Sequence, residues 1–98
     1  MKLPITIEYT NGKQATYIAQ PPEWVKWEKH TGNTIAQAQT KIGISDLVFL
    51  AYHAMKREAA GKPVKPIEVW TETIADVVVG EANPKAIQSE ASAEQSGN

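Results

Sequence analysis

One stretch constrains the fold of this chain more than any other, the apolar run from Ile44 to Arg57. It predicts a central helix over about residues 45–58, in which Ser45 is the N-cap and Lys56 and Arg57 complement the dipole of the last turn. Four of its residues recur at helical spacing on one face: Leu47, Leu50, Ala51 and Ala54. Much of the remaining surface is also apolar, through Val48, Phe49, Tyr52 and Met55. Such a helix lies in the core of a domain or also meets a partner.

Length and composition limit what can surround this helix. The chain has 98 residues and no cysteine, so we expect one domain at most and neither disulfides nor thiolate metal sites. Residues 81–98 contain one large apolar residue, Ile87, and predict a flexible acidic and polar tail after a single small α+β domain over residues 1–80. The formal net charge is −1 with acids and bases interspersed, which argues against nucleic-acid binding. Neither a membrane span nor a secretory signal is predicted.

The N-terminal segment from about residue 3 to 18 predicts a β-hairpin. Apolar and polar residues alternate in it, and Asn11-Gly12 is a strong signal for a two-residue type I′ turn. With those two residues at the centre of the turn, Ile7 would face Thr16 and Ile5 would face Ile18. This face of the hairpin is the one expected to pack on helices.

Three further segments have helical patterns. Pro22 suits the first turn of a helix over about 22–31, and a weaker helix is expected after Asn33. Another helix is expected over about 66–77, with a stripe at Ile67, Trp70, Ile74 and Val77. The predicted fold class is therefore α+β: an N-terminal β-hairpin followed by a small bundle of three to four helices (about 22–31, 45–58 and 66–77) and a disordered C-terminal tail.

No constellation in the sequence supports catalysis, cofactor binding or metal binding. His30 and His53 lack partners at ligand spacing, so packing or plain exposure is the simpler interpretation. The carboxylates Glu68, Glu72 and Asp76 follow one another at intervals of four residues, which predicts a solvated acidic face on the last helix. Glycine-rich phosphate loops and nucleophile–base pairs are absent from the sequence. We therefore do not expect an enzyme, and we expect no cofactor.

Three segments together resemble a known family. They are Pro22-x-Trp24-x-x-Trp27-Glu28-Lys29, then Ile44-x-Asp46-Leu47-x-Phe49-Leu50-Ala51-Tyr52-x-Ala54-x-Lys56-Arg57, and after a proline-containing linker Ile67-Glu68-x-Trp70. This combination is similar to the tail assembly chaperones of long-tailed (siphovirus-like) bacteriophages, especially those of actinobacterial hosts. The resemblance covers roughly Pro22 to Val79, and its most distinctive part is the Lys56-Arg57 pair.

The resemblance implies a non-enzymatic chaperone in the cytoplasm of the infected bacterial host. Such a protein binds the tape measure protein, keeps it soluble, helps recruit tail tube subunits and does not remain in the virion. A client with exposed apolar helical faces requires an apolar surface on the chaperone, and a homo-oligomer would add multivalency. On this hypothesis the partner-facing set includes Phe49, Tyr52, Met55 and Trp70.

Two other classes of function remain open at this point. A small structural virion protein, such as a head–tail connector or a tail component, would persist in purified particles. A small regulatory or DNA-binding module would place Lys56, Arg57, Lys62 and Lys65 on phosphates, although the flanking acids disfavour it.

Overall fold

The structure is a computed structural model that describes residues 2–80, except for the side chains of residues 39–41. The predicted tail over residues 81–98 lies outside the described residues. The elements in chain order are β1 (Leu3–Tyr9), β2 (Gln14–Ala19), α1 (Pro21–Thr31), α2 (Ile35–Lys41), α3 (Ile44–Glu58), α4 (Ile67–Thr71) and β3 (Ile74–Val79). The predicted α+β class is confirmed, but the hairpin belongs to a three-stranded antiparallel sheet with the order β2-β1-β3.

The hairpin has a longer loop than predicted, and its register is therefore shifted. The Tyr9 amide donates to the Lys13 carbonyl (2.8 Å) and the Gly12 amide to the Tyr9 carbonyl (2.9 Å), so the loop has three residues and ends at Gly12. Gly12 takes φ +87°, the left-handed conformation that closes a three-residue hairpin. Ile5 consequently pairs with Tyr17, and Tyr17 shares the helix-packed face with Ile5. The predicted pairings of Ile5 with Ile18 and of Ile7 with Thr16 are wrong.

The last predicted helix is also corrected. Helix α4 ends at Thr71, and residues 74–79 form β3, which pairs antiparallel with β1. The Thr71 hydroxyl donates to the Ile67 carbonyl and the Thr73 hydroxyl to the Trp70 carbonyl, both at 2.6 Å. Threonine hydroxyls that bond backbone carbonyls compete with helix continuation, and the β-branched residues that follow favour a strand. Backbone hydrogen bonds to β1 further stabilise the strand. They involve a segment far away in the chain, so the local sequence pattern does not indicate them.

Helix α3 begins at Ile44, one residue earlier than predicted, and its N-cap lies two residues earlier. Gly43 is the N-cap rather than Ser45, and its amide donates to Asp46 Oδ2 at 2.8 Å. The other carboxylate oxygen, Asp46 Oδ1, accepts the indole Nε1–H of Trp27 at 3.0 Å. Asp46 therefore fixes the start of α3 and also ties it to α1. The bond to Gly43 forms because the third helical residue lies where a carboxylate reaches back to the cap amide, and the second carboxylate oxygen is left to accept from Trp27.

The core lies between the sheet and the helices. Helix α3 packs across all three strands and also contacts α1 and α4. The Trp24 and Trp27 rings of α1 meet edge to face, with centroids 5.5 Å apart. The buried apolar residues of this core are Ile5, Ile7, Ala19, Trp24, Trp27, Ala38, Leu50, Ala51, Tyr52 and Trp70. Helix α3 is therefore the central element, as the sequence predicts.

Candidate functional site

The four residues predicted to face a partner do not form one surface. Tyr52 and Trp70 are buried, with exposed fractions of 5% and 4%. Phe49 and Met55 are half-buried and line different cavities: Phe49 lies beside His30, whereas Met55 and Trp70 border a cavity of about 650 Å³ at the hairpin tip. The structure thus brings Tyr52 and Trp70 together in the core, with ring centroids 5.5 Å apart, and of this set only Met55 and Trp70 border a common cavity.

Trp70 is held by a network of tyrosines. Its Nε1–H donates to Tyr9 Oη (3.2 Å), and the Tyr9 and Tyr17 hydroxyls are hydrogen-bonded at 2.8 Å. The Trp70 ring meets the Tyr9 and Tyr17 rings edge to face. Burial, together with the hydrogen bond to Tyr9, raises the pKa of Tyr17. The Tyr52 hydroxyl donates to the Lys65 carbonyl, so each of these buried rings has a structural partner for its polar atom.

Phe49 lies between the two histidines. Its ring is stacked on His30, with centroids 4.5 Å apart and an interplanar angle of 13°, and its centroid is 4.4 Å from that of His53. His53 Nδ1 is buried without a hydrogen-bond partner among the described residues. Burial lowers the pKa of His53, and the positive charges of Lys26 and Lys56 lower it further. Both histidines therefore pack around Phe49.

We expect stability to fall as the pH drops below about 6.5, the ordinary pKa of His53. The folded-state pKa of His53 is lowered by burial, by Lys26 and Lys56 and by His30, against an opposing effect of Glu23. Below 6.5 the unfolded chain takes up a proton that the folded chain resists, so the contribution of neutral His53 is present above that pH and is lost as the pH falls toward the folded-state pKa. Urea unfolding between pH 7.5 and 5 measures this slope. In His53→Phe the slope should be reduced, and an unchanged slope would contradict the assignment.

In the lysine–arginine pair at the end of α3, Arg57 has a structural role. Arg57 Nε lies 2.7 Å from Glu23 Oε2 and Arg57 Nη2 lies 2.9 Å from Glu23 Oε1, a two-point ion pair that joins α3 to the first turn of α1. Glu23 Oε1 also accepts the Gln20 amide at 2.9 Å. Burial alone would raise the pKa of Glu23, but the hydrogen bonds from Arg57 and Gln20 outweigh it, so that pKa lies below its ordinary value. Lys56 is exposed.

The predicted acidic face of the last helix is corrected with the helix itself. Glu68 lies in α4 and Glu72 caps its end, whereas Asp76 lies in β3. Glu68, Glu72 and Asp76 nevertheless line neighbouring cavities. Within residues 2–80, no group of three or more histidine, cysteine, aspartate or glutamate side chains is placed to hold a metal ion.

An apolar groove opens between the first half of α3 and the segment that runs from α4 into β3. One cavity of about 530 Å³ lies between α3 and α4, and a second of about 270 Å³ lies between α3 and β3. Both are bordered by Ile44, Val48 and Thr71, so they form one continuous depression, which we call the α3–α4 groove. Ile44 is the most exposed large apolar residue described, at 63%. The full lining is Ile44, Ser45, Val48, Ile67, Glu68, Thr71, Glu72, Ile74, Ala75, Asp76 and Val77.

This groove is not among the features predicted from the sequence, although the sequence contains a signal for one of its walls. Ile44 and Val48 are four residues apart and therefore share a helical face that differs from the stripe containing Leu47 and Leu50. Ile44 lies just before the predicted start of the helix at residue 45, so the prediction did not include it in the helix. The opposite wall could not be anticipated, because it depends on where α4 ends and β3 begins.

Comparison of the chain with protein-family models, with curated proteins and with solved structures gives no match. Among the described residues, no helix has the length and apolar character needed to cross a membrane.

Proposed function

We propose that this protein is a tail assembly chaperone of a long-tailed bacteriophage. It acts in the cytoplasm of the infected bacterial host, where it binds the tape measure protein, keeps it soluble and helps recruit tail tube subunits. It works by binding and not by catalysis. The observation that carries the proposal is the α3–α4 groove: a domain of this size leaves Ile44, on its central helix, 63% exposed beside half-buried Val48 and Ile67. Exposed contiguous apolar surface of this kind is typical of protein-binding sites.

The resemblance supports the proposal because the residues that carry it hold together the helices around the groove. Most of the residues that carry it have structural contacts: Trp24 and Trp27 pack together, Arg57 pairs with Glu23, and Trp70 bonds Tyr9. Similar residues at these positions would give a similar arrangement of α1, α3 and α4. Ile44 and Ile67, which also belong to the shared pattern, lie in the groove. We therefore propose the groove as the client surface, and not the buried rings of Tyr52 and Trp70.

The test is co-expression of the chain with a fragment of the tape measure protein of the same phage. Ile44→Asp puts a charge on the exposed floor of the groove and should weaken client binding about tenfold, since burial of such a side chain is worth about 1.5 kcal/mol. The soluble fraction of the client should fall accordingly. The fold should be unaffected, because an acidic residue is favourable in the first turn of a helix.

Val25→Asp is the matched control. Val25 is 52% exposed on α1 and does not line the groove, so this variant should hold the client as the unchanged chain does. If Ile44→Asp keeps the client fully soluble with its circular dichroism unchanged, the client-holding function is wrong. Mass spectrometry of purified virions tests the structural virion protein, because that alternative requires the chain in every particle.

A further inference from the structure

The charges around the α3–α4 groove are all of one sign. Glu68 and Glu72 stand on the α4 wall, and Asp76 lies at the β3 end. Among the described lining residues there is no lysine, arginine or histidine. The ion pair found among the described side chains is Arg57–Glu23, away from the groove. An apolar floor with an uncompensated acidic rim favours a partner that presents apolar side chains flanked by cations.

The adjacent edge of the sheet bears on whether an extended or a helical partner fits the groove. Strand β3 lies at the edge of the sheet and lines the groove. The Gly80 amide donates to the Pro4 carbonyl at 2.8 Å, and the alternation of an antiparallel ladder then directs the Val77 amide to the free edge. An extended peptide that added a strand here would need that amide.

Two features make the β3 edge a poor template for a further strand. Asp76 Oδ1 already accepts the Val77 amide at 2.8 Å, so one of the amides directed to the free edge is already satisfied by the preceding residue. A register shift between Glu8 and Tyr9, whose partners are Asp76 and Ile74, also interrupts the ladder. Acidic side chains and bulges of this kind are devices that protect sheet edges from further pairing. A helix needs no such edge, because its backbone hydrogen bonds are internal.

We propose that the α3–α4 groove binds an amphipathic helix that lays an apolar stripe on Ile44, Val48 and Ile67 and directs flanking lysines or arginines to Glu68, Glu72 and Asp76. The inference rests on the proposed function, since it names the chemistry of the client segment. The client segment then has apolar residues at intervals of three and four, with basic residues beside the stripe. Binding weakens as the salt concentration rises, because the flanking contacts are exposed.

The experiment uses three synthetic peptides of about 18 residues, or five helical turns. The first is a designed amphipathic helix with a leucine stripe flanked by lysines, the second has glutamates in place of those lysines, and the third alternates valine and lysine to favour a strand. Each carries a fluorophore, and fluorescence anisotropy with the full chain gives its Kd. We expect the lysine helix to bind at least tenfold more tightly than the glutamate helix at about 0.05 M salt, and the difference to shrink at about 0.3 M.

Charge variants of the chain localise the effect. Glu68→Gln with Glu72→Gln should weaken binding of the lysine helix about fivefold, as expected for two exposed pairs. The control removes the same charge elsewhere, with Glu8→Gln and Glu58→Gln, two carboxylates that do not line the groove. That control should bind as the unchanged chain does.

Each result other than those expected would contradict the acidic rim, the helical partner or the proposed function. Equal affinity for the lysine and glutamate helices, or equal loss in the groove and control variants, would overturn the acidic rim as a recognition element. Tighter binding of the alternating peptide would overturn the helix and favour addition of a strand to β3. If the rim variants behave as the unchanged chain while Ile44→Asp loses the tape measure fragment, this inference fails and the proposed function stands. If the lysine helix binds as expected but the unchanged chain does not hold the fragment, the proposed function fails.

Discussion

Arg57→Met is expected to destabilise the domain more than any other substitution of a charged residue described above. The Glu23 carboxylate is fully buried and would lose both of its Arg57 hydrogen bonds. Leaving a buried carboxylate without its counter-ion is strongly destabilising, and the free energy of unfolding of small domains is only about 5 kcal/mol. Urea unfolding at neutral pH measures the loss.

The pH dependence separates this explanation from a simple loss of packing. In the unchanged chain the pKa of Glu23 is lowered, so its contribution is present above the ordinary value of 4.5 and is lost as the pH falls through the folded-state pKa. In Arg57→Met the Gln20 amide is left without Arg57 to oppose the effect of burial, so the pKa of Glu23 should rise. The difference in stability between the two chains should therefore shrink as the pH falls.

Two further variants complete this test. Glu23→Met leaves Arg57, whose side chain is 35% exposed and can turn to water, so its cost should be smaller than that of Arg57→Met. Lys56→Met changes the exposed neighbour and should stay within about 0.5 kcal/mol of the unchanged chain. A pH-independent loss, or equal losses for Arg57→Met and Lys56→Met, would show that the ion pair does not carry the effect.

Trp70→Ala is expected to bring the domain close to unfolding. The substitution removes a ring that packs against Tyr9, Tyr17 and Tyr52, and large-to-small changes of this kind cost about 3–5 kcal/mol. Trp70→Phe should cost much less, because it keeps an aromatic ring and loses mainly the Nε1 bond to Tyr9, worth about 1 kcal/mol. Near-ultraviolet circular dichroism and thermal unfolding check both.

The exposed neighbour of Trp70 provides the control. Val69→Ala should change stability little, because Val69 is among the exposed large apolar residues. If Trp70→Ala instead kept the stability of the unchanged chain, Trp70 would be a surface residue and the original partner-facing set would regain support. Otherwise, loss of the client in variants of Trp70 or Tyr52 reports unfolding and does not map the client surface.

The sequence predicts the helices well where capping and periodicity agree. Helix α1 begins at Pro21 with Pro22 in its first turn, and α3 spans 44–58 against the expected 45–58. Gly32, with φ +77°, ends α1 where the helical pattern stops. These features are local, so the sequence alone predicts them.

The missed features depend on pairing across the chain. Asn11-Gly12 fits both a two-residue and a three-residue loop, and the choice between them changes which side chains face the helices. The segment from Ile67 to Val77 fits a helical stripe, yet β1 provides a partner that turns its second half into a strand. The same distinction applies to the candidate site. The spacing of Ile44 and Val48 indicates the α3 wall of the groove, whereas the α4–β3 wall depends on the pairing of β3 with β1 and could not be predicted. Trp70 belongs to the predicted partner-facing set, but like Trp24 and Trp27 it is a core residue.

The place of β3 next to β1 has a consequence for biosynthesis. The Thr6 hydroxyl donates to the Gly80 carbonyl at 2.7 Å, so the first strand is completed by residues that a ribosome adds more than seventy positions later. Until those residues emerge, the growing polypeptide has a central strand with one bare side. Folding of the sheet is therefore delayed until translation of the domain is nearly finished.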